Sequence, residues 1–315
     1  MKPLERINYS GDIEILLTDV CIVFQIGKFI IFTVIETGYE DCNIKLETST
    51  GLYLVKIFSK QRTTDDVKRY VQIMEKVLAA GVHHPKLEKT NKQHFLFERD
   101  AIQLIVMQFI QGRSFLEMER TPDTAERQAI LEQAARIHSI EYHPPFFFDS
   151  WAIPNIQQMF KKVGTYIQAA DLPLVKQAIA EHNKIPVREL PQCFVHGDFT
   201  KANILKGDDG KIYILDFSVA NWYPRIQELA VIAANLLYEK GNSLAETCTA
   251  IAKEYSALKA LSEVEIEHLY SYALAGVAME FMGAHQEKYI NGNSSEETEY
   301  WLNLGRTGLR QALEK

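Results

Sequence analysis

Three side chains in one stretch of this chain have the types and the order that phosphoryl-group chemistry needs. Asp198, Asn203 and Asp216 fall within FVHGDFTKANILKGDDGKIYILDF, residues 194–217, with the acids eighteen positions apart and the amide five after the first. Carboxylate and carboxamide oxygens are the ligands that a hard divalent cation such as Mg²⁺ prefers. A carboxylate beside a hydroxyl can orient it and take its proton. A cation on the α- and β-phosphates completes such a site, and Lys56 within LYLVKIF places an ammonium inside a strand-like run. Each residue alone has a plainer explanation, because Asp and Asn also serve as turn formers at strand ends. Order and spacing together, with His196 and Gly197 directly before Asp198, favour the catalytic reading.

Those side chains have to be placed by the elements around them. CIVFQIGKFIIFTVIE gives β-branched and aromatic strand signals, and NIKLETSTGLYLVKIF gives two alternating runs around Ser49, Thr50 and Gly51. The second segment predicts a hairpin with Lys56 in its second strand. Thr63-Thr64-Asp65-Asp66 offers an N-cap and an acidic first turn to a helix whose Val67, Tyr70, Met74 and Val77 share one face, and Gly81 stops it. HFLFER and AIQLIVMQFI predict two more strands on either side of Asp100. After Gln111-Gly112 the pattern turns helical, over 123–140, 154–170, 172–184, 225–239, 242–258, 263–289 and 295–314. A pair of short strands around Gly207-Asp208-Asp209-Gly210 interrupts these helices. The expected class is α+β. A small antiparallel-sheet lobe with one main helix spans 1–110, and a larger helical lobe over 111–315 carries the hairpin 194–217, with a cleft between the two.

Composition narrows the function classes. With 315 residues, 47% of them hydrophobic and 24% charged, the chain can bury a sizeable core and does not look disordered. A net charge of −7 argues against a nucleic-acid partner. The four cysteines are scattered, with no CxxC pair, which predicts reduced thiols. The N-terminus has no secretory pattern, and the apolar stretch from Val20 to Ile35 is interrupted by Gln25, Gly27 and Lys28. A cytoplasmic protein with no membrane partner is expected. His83-His84 lacks further metal ligands at sensible spacing and reads as a loop. Phe146-Phe147-Phe148 and Trp151 either line an acceptor pocket or pack a core.

HGDFTKAN resembles the HGDxxxxN catalytic loop of the aminoglycoside phosphotransferase and choline kinase group of small-molecule kinases. LDFSVANWYPRIQELA is similar to that group's metal-binding segment and following helix. ETGYEDCNIKLETSTGLYLVKIF is similar to its nucleotide loop and first strands, FIQGRSF to its hinge, and ARIHSIE to its first large-lobe helix. The likeness runs in order from about Ile31 to Trp301. The stretch SKQRTTDDVKRYVQIMEKVLAAGVHHP after Lys56 resembles the homoserine kinase branch.

The resemblance implies a protein-kinase-like bilobal fold. It also implies Mg²⁺-dependent transfer from ATP (or GTP) to a hydroxyl of an amino acid, amino alcohol, sugar derivative or aminoglycoside-like compound. The alternative is a kinase-like nucleotide-binding protein with weak or no catalysis. Carried over, Asp198 becomes the base or hydroxyl-orienting carboxylate, His196 a structural brace of the loop, and Asn203 and Asp216 the Mg²⁺ ligands. Lys56 would bind α/β-phosphate oxygens, Gly38 lies in the nucleotide loop from Thr37 to Asn43, and the backbone of Met107, Gln108, Phe109 and Ile110 would meet the adenine edge. Lys201 is either a cation beside the γ-phosphate or an acidic substrate, or a surface lysine. Glu75 lies about 90° around its helix from the centre of the apolar stripe, where it either reaches Lys56 or stays solvated. Glu280, Tyr300 and Trp301 lie on helices that the family uses around its acceptor. Two departures stand out: DFS replaces the protein-kinase DFG, putting Ser218 where glycine has more freedom, and the nucleotide loop holds Gly38 as its one glycine. The acceptor and the oligomeric state are left open.

Overall fold

The structure, a computed structural model, describes residues 3–313 apart from Asn8, Thr37 and Tyr39. The chain divides into two units, one of residues 1–79 with 84–111 and one of residues 80–83 with 112–315.

In the first unit, α1 (Ile13–Phe24) starts where the Asp12 side chain accepts the Glu14 N–H and ends where Gln25 turns left-handed. The run Cys21–Phe24, expected to be strand-like, is the end of this helix, so the unit holds two α-helices rather than one. A short apolar run does not by itself separate a strand from a buried helix segment. Here the Asp12 cap and the buried stripe Leu16, Leu17, Val20, Cys21 and Phe24 decide for the helix. Next come β1 (Phe29–Ile35), β2 (Cys42–Thr48), β3 (Gly51–Ile57), α2 (Thr64–Ala79), β4 (Leu96–Arg99) and β5 (Ile102–Gln108). The strands form one antiparallel sheet in the order β1-β2-β3-β5-β4. The β2–β3 hairpin closes with Thr48 opposite Gly51, and the Thr48 and Thr50 hydroxyls both donate to the Ile26 carbonyl at 2.5 Å. Ile44, Leu46, Val55, Ile57, Leu104 and Val106 join the α1 stripe in one core. Each such side chain contributes roughly 1.5–3 kcal/mol by leaving water.

The second unit opens with β6 (Gly112–Ser114), α3 (Thr124–Ile137), α4 (Ile156–Val163) and α5 (Leu172–His182). Four short strands follow: β7 (Gln192–Val195), β8 (Ile204–Gly207), β9 (Ile212–Ile214) and β10 (Asn221–Pro224). They are succeeded by α6 (Ile226–Val231), which runs into a π turn over Ile232–Leu236, and by α7 (Leu244–Ser256). The chain ends with α8 (Glu263–His285), its π turn Gln286–Ile290, and α9 (Glu296–Leu313). β6, β8 and β9 form one ladder and β7 and β10 another. The span 154–170 is not one helix, because 3₁₀ turns at Ile153–Asn155 and Gly164–Tyr166 bracket α4.

From Leu269 on, α8 is apolar on nearly every side and is accordingly buried along that length. α9 comes so close to it that a Cβ on Gly305 would stand 2.6 Å from the Phe281 nitrogen, so only glycine fits. Arg225 ties the start of α6 to the first turn of α8 with two bonds to Glu265, at 2.8 and 2.6 Å. The mixed class expected from the sequence, an antiparallel sheet followed by a helical C-terminal part, is the class observed. Among the described residues no helix is long and apolar enough to cross a membrane.

Candidate active site

Two antiparallel ladders in the second unit bring the catalytic-type residues together. Asn221 in β10 lies opposite Val195 in β7, and Ile204 in β8 lies opposite Ile214 in β9. The chain therefore leaves β7 into His196-Gly197-Asp198, enters β8 just after Asn203, and leaves β9 toward Asp216. Asn203 Nδ2 donates to Asp198 Oδ2 at 2.6 Å and to the Asp198 carbonyl at 3.1 Å, while Leu215 N–H donates to the Asn203 carbonyl at 2.8 Å. With its amino group on Asp198, the carboxamide oxygen of Asn203 is left to accept.

Asp216 has a φ of 58°, in the left-handed region that Asp tolerates better than most residues, and its Oδ1 accepts the Ser218 N–H at 3.2 Å. Ser218 itself has no positive φ. The DFS departure therefore costs nothing in backbone freedom, since the strained position is the acid.

Charge accumulates here. Burial first, then the Asp149 and Asp216 carboxylates, push the Asp198 carboxyl up to about 7, against the hydrogen bonds from Asn203 and Thr200. Such a site is short of positive charge. Among the described residues no three His, Cys, Asp or Glu side chains gather into a ready-made metal cage. Asp216 and Asn203 do offer oxygen donors of the kind Mg²⁺ takes when phosphate and water complete its shell, so the residues fit that ion.

His196 is fully buried between the rings of Phe199 and Phe217, with centroids 5.3 and 4.4 Å away. Its Nε2 donates to the Leu215 carbonyl at 2.8 Å, and its Nδ1 accepts the Asp198 N–H at 3.1 Å. Burial holds the ring below its ordinary value and neutral, so it braces the loop.

A second brace was not singled out from the sequence. Glu228 on α6 is fully buried and accepts the N–H groups of His196 at 2.8 Å and Gly197 at 2.9 Å. Burial pushes this carboxyl up, but His138 at 3.7 Å, then His196 and the Gly197 N–H, outweigh it and hold it below its ordinary value. The available signal was an acid in the first turn of a helix amid the apolar RIQELAVIAA.

Lys201 is not a surface lysine. It is 7% exposed, and its Nζ donates to the Tyr238 carbonyl at 3.0 Å. Burial holds its pKa down against the pull of Glu280 and Glu239. Asn235, in the π turn after α6, accepts the Lys201 N–H at 2.9 Å and donates to Glu280 at 2.5 Å. The Glu280 carboxyl is pushed up to about 8 by burial and then by Asp198, with Asn235 and Lys201 opposing. Tyr300, raised to about 12 by burial, Glu280 and Glu119, shares this field. Trp151 lies against Gly283, three residues along α8 from Glu280, where a Cβ would meet its ring at 2.4 Å. Asp149 was another missed residue, in the loop that Asn221 pins by donating to the Phe147 carbonyl at 2.6 Å. Phe146 and Phe148 remain exposed and pack no core. His83 Nδ1 bonds to the Ile212 carbonyl at 3.1 Å and His84 Nδ1 to the Pro85 carbonyl at 2.8 Å.

In the first unit, Lys56 on β3 is buried, and its Nζ meets Asp41 Oδ2 at 3.0 Å. The expected alternative, a pair with Glu75, is not what forms: Glu75 lies exposed on α2. The reason is register, since Asp41 extends β2 on the face Lys56 shares, whereas Glu75 points off the edge of its helix. Gly38 has a φ of 92°, with open space where a Cβ would be, and Arg6 donates to its carbonyl at 2.6 Å. Thr37 of the same loop lies outside the described residues. Met107 and Gln108 belong to β5. The Gln108 and Phe109 N–H groups are bonded to the Lys86 and Leu52 carbonyls, which leaves the N–H groups of Ile110 and Gln111 as the unspent donors among the described residues of this segment.

Taken together, an antiparallel sheet with a buried strand lysine, then HGD with its asparagine and a hairpin-linked acid, define a protein-kinase-like phosphotransferase fold. Residues 31–261 match the model of the phosphotransferase enzyme family, and the chain belongs to that family. It is 21% identical over 271 residues to the homoserine kinase of Zymomonas mobilis, covering 84% of this chain and 83% of that one. Among solved structures it is similar to spectinomycin phosphotransferase in complex with ADP and spectinomycin, with a TM-score of 0.71 at 11% identity over 94% of this chain and 97% of the other. It is also similar to an amicoumacin kinase in complex with AMP-PNP and Ca²⁺, with a TM-score of 0.68 at 15% identity over 95% and 93% of the two chains. At these identities the structural likeness speaks for the fold alone.

Proposed function

We propose that this protein is a small-molecule kinase that moves the γ-phosphoryl group of ATP to a hydroxyl on an acceptor that carries an amine. The observation that carries this reading is the Asp198 carboxylate, clamped by Asn203 at 2.6 Å in a loop braced by His196 and Glu228. Asp198 orients the acceptor hydroxyl and receives its proton as the new P–O bond forms and the bond to ADP breaks. Lys56 holds α/β-phosphate oxygens. Asn203 and Asp216 would hold Mg²⁺, which when bound offsets negative charge on the phosphates and the transferred group.

The amine follows from the charges around Asp198. The Asp149 and Asp216 carboxylates crowd Asp198, and Glu280, held neutral by burial and by Asp198, is a further acid that a nearby cation would ionise, while Lys201 is spent on a carbonyl. A protonated amine relieves that excess, whereas a neutral sugar does not. Homoserine, named for the Zymomonas relative, carries both an ammonium and a hydroxyl.

A coupled ADP-release screen over amino acids including homoserine, amino alcohols, neutral sugars and aminoglycosides tests the proposal. The expected result is Mg²⁺-dependent turnover with an amine-bearing class and a fall of about 10³-fold or more in Asp198→Asn. Turnover that persists in Asp198→Ala would sink the assigned role. Nucleotide binding without transfer to any acceptor would turn the reading toward a catalytically inactive kinase-like protein.

A further inference from the structure

We infer that Asp41 is the positioning residue for Lys56 and that it locks the nucleotide loop to that lysine; the inference rests on Lys56 being the phosphate-binding cation. Protein kinases orient the strand lysine with a glutamate from the following helix. Here α2 presents Lys56 with an aromatic face, the Tyr70 ring at 5.4 Å, and the carboxylate comes from the β1–β2 connection.

The pair is buried, each side chain 3% exposed, and Asp41 is fixed on both oxygens. Oδ2 takes Lys56 Nζ at 3.0 Å, while Oδ1 accepts the Ser59 N–H at 2.9 Å and Arg62 Nε at 3.0 Å. A buried ammonium without such a partner is strongly unfavourable, so the position of Asp41 dictates where Lys56 can point. Two cations share this one carboxylate, Lys56 on Oδ2 and Arg62 on Oδ1, so its position is set from both sides.

The loop gains an anchor from the same arrangement. Gly38 is its one glycine, with a φ of 92° that favours glycine. Two of its described residues are held, Asp41 by Lys56 and Gly38 by Arg6 on its carbonyl. Loop position and lysine orientation thus change together.

The test uses the full chain, with isothermal titration of Mg²⁺·AMP-PNP and separate KM values for ATP and acceptor. Asp41→Asn, which keeps shape and removes charge, should weaken nucleotide binding and raise the ATP KM by about tenfold or more, with acceptor KM unchanged. Asp41→Glu should recover part of the loss, and Glu75→Gln should behave as wild type. Should Asp41→Asn not fold, Arg62→Gln serves: it removes the guanidinium that fixes Asp41 Oδ1 and so loosens the carboxylate that sets Lys56, and nucleotide affinity should again fall. Unchanged nucleotide affinity in both Asp41→Asn and Arg62→Gln, beside a clear loss in Lys56→Ala, overturns the role of Asp41 alone. Unchanged affinity in Lys56→Ala overturns the phosphate role of Lys56 and this inference with it. A loss in Glu75→Gln without one in Asp41→Asn returns the role to the helix.

Discussion

Asn203 donates to Asp198 twice from one nitrogen, to the carboxylate at 2.6 Å and to the backbone carbonyl at 3.1 Å. The two bonds fix the carboxylate relative to its own main chain, so its direction is set before any substrate arrives. The amide oxygen is not spent on Asp198, and under the proposed function it goes to the metal.

Asn203→Ala should therefore lower kcat by about a hundredfold or more, the scale expected when a catalytic group loses its alignment. The Mg²⁺ concentration for half-maximal rate should rise in parallel. Titrating Mg²⁺ at saturating acceptor separates the two effects, and a normal metal requirement would remove Asn203 from the metal site.

Glu228→Ala should damage the fold as well as the rate. It strips the acceptor from two N–H groups beside a buried loop, and each orphaned group costs about 1–3 kcal/mol. For a domain of this size each kcal/mol lowers Tm by roughly 2–4 °C. A fall of several degrees by calorimetry is expected, with activity falling further than the folded fraction does.

Glu280→Gln should raise the KM of an amine acceptor by about tenfold or more while leaving the ATP KM alone. Stability should respond to pH with a definite sign. The folded carboxyl titrates near 8, raised from 4.5, so the native state favours its neutral form and loses that advantage as pH rises through 8. The variant should melt a few degrees above wild type at pH 9 and show little gain at pH 5.

Glu126 gives the opposite sign, away from the reaction. Arg120 first, then Lys206 and the Asp123 N–H, hold its carboxyl down at about 2, against burial. The stabilisation is full above its ordinary value of 4.5 and is lost as pH falls from there toward 2. Arg120 and Lys206 are partly exposed, so the effect is roughly 1–2 kcal/mol after solvent screening. Glu126→Gln should lower Tm at pH 7, and the two melting curves should converge by about pH 2.

By itself the sequence determined the chemistry and its class. HGDFTKAN followed by an apolar run and LDF is local, and so are the β2–β3 hairpin turn and the periodicity of α2, α7 and α9, because their signals lie within a few residues of one another. It also carried more than was read from it. Counting out from Thr48 opposite Gly51 makes Asn43 oppose Lys56 and puts Asp41 diagonally beside it on the same face. Only the tertiary structure decided the rest. Glu228 reaches His196 across 32 residues and Asn235 reaches Glu280 across 45, and no periodicity encodes which helix faces which. α1 needed its buried stripe against the sheet to be told from a strand. The left-handed residue is Asp216 and not Ser218, a position that the DFS triplet does not reveal without the backbone.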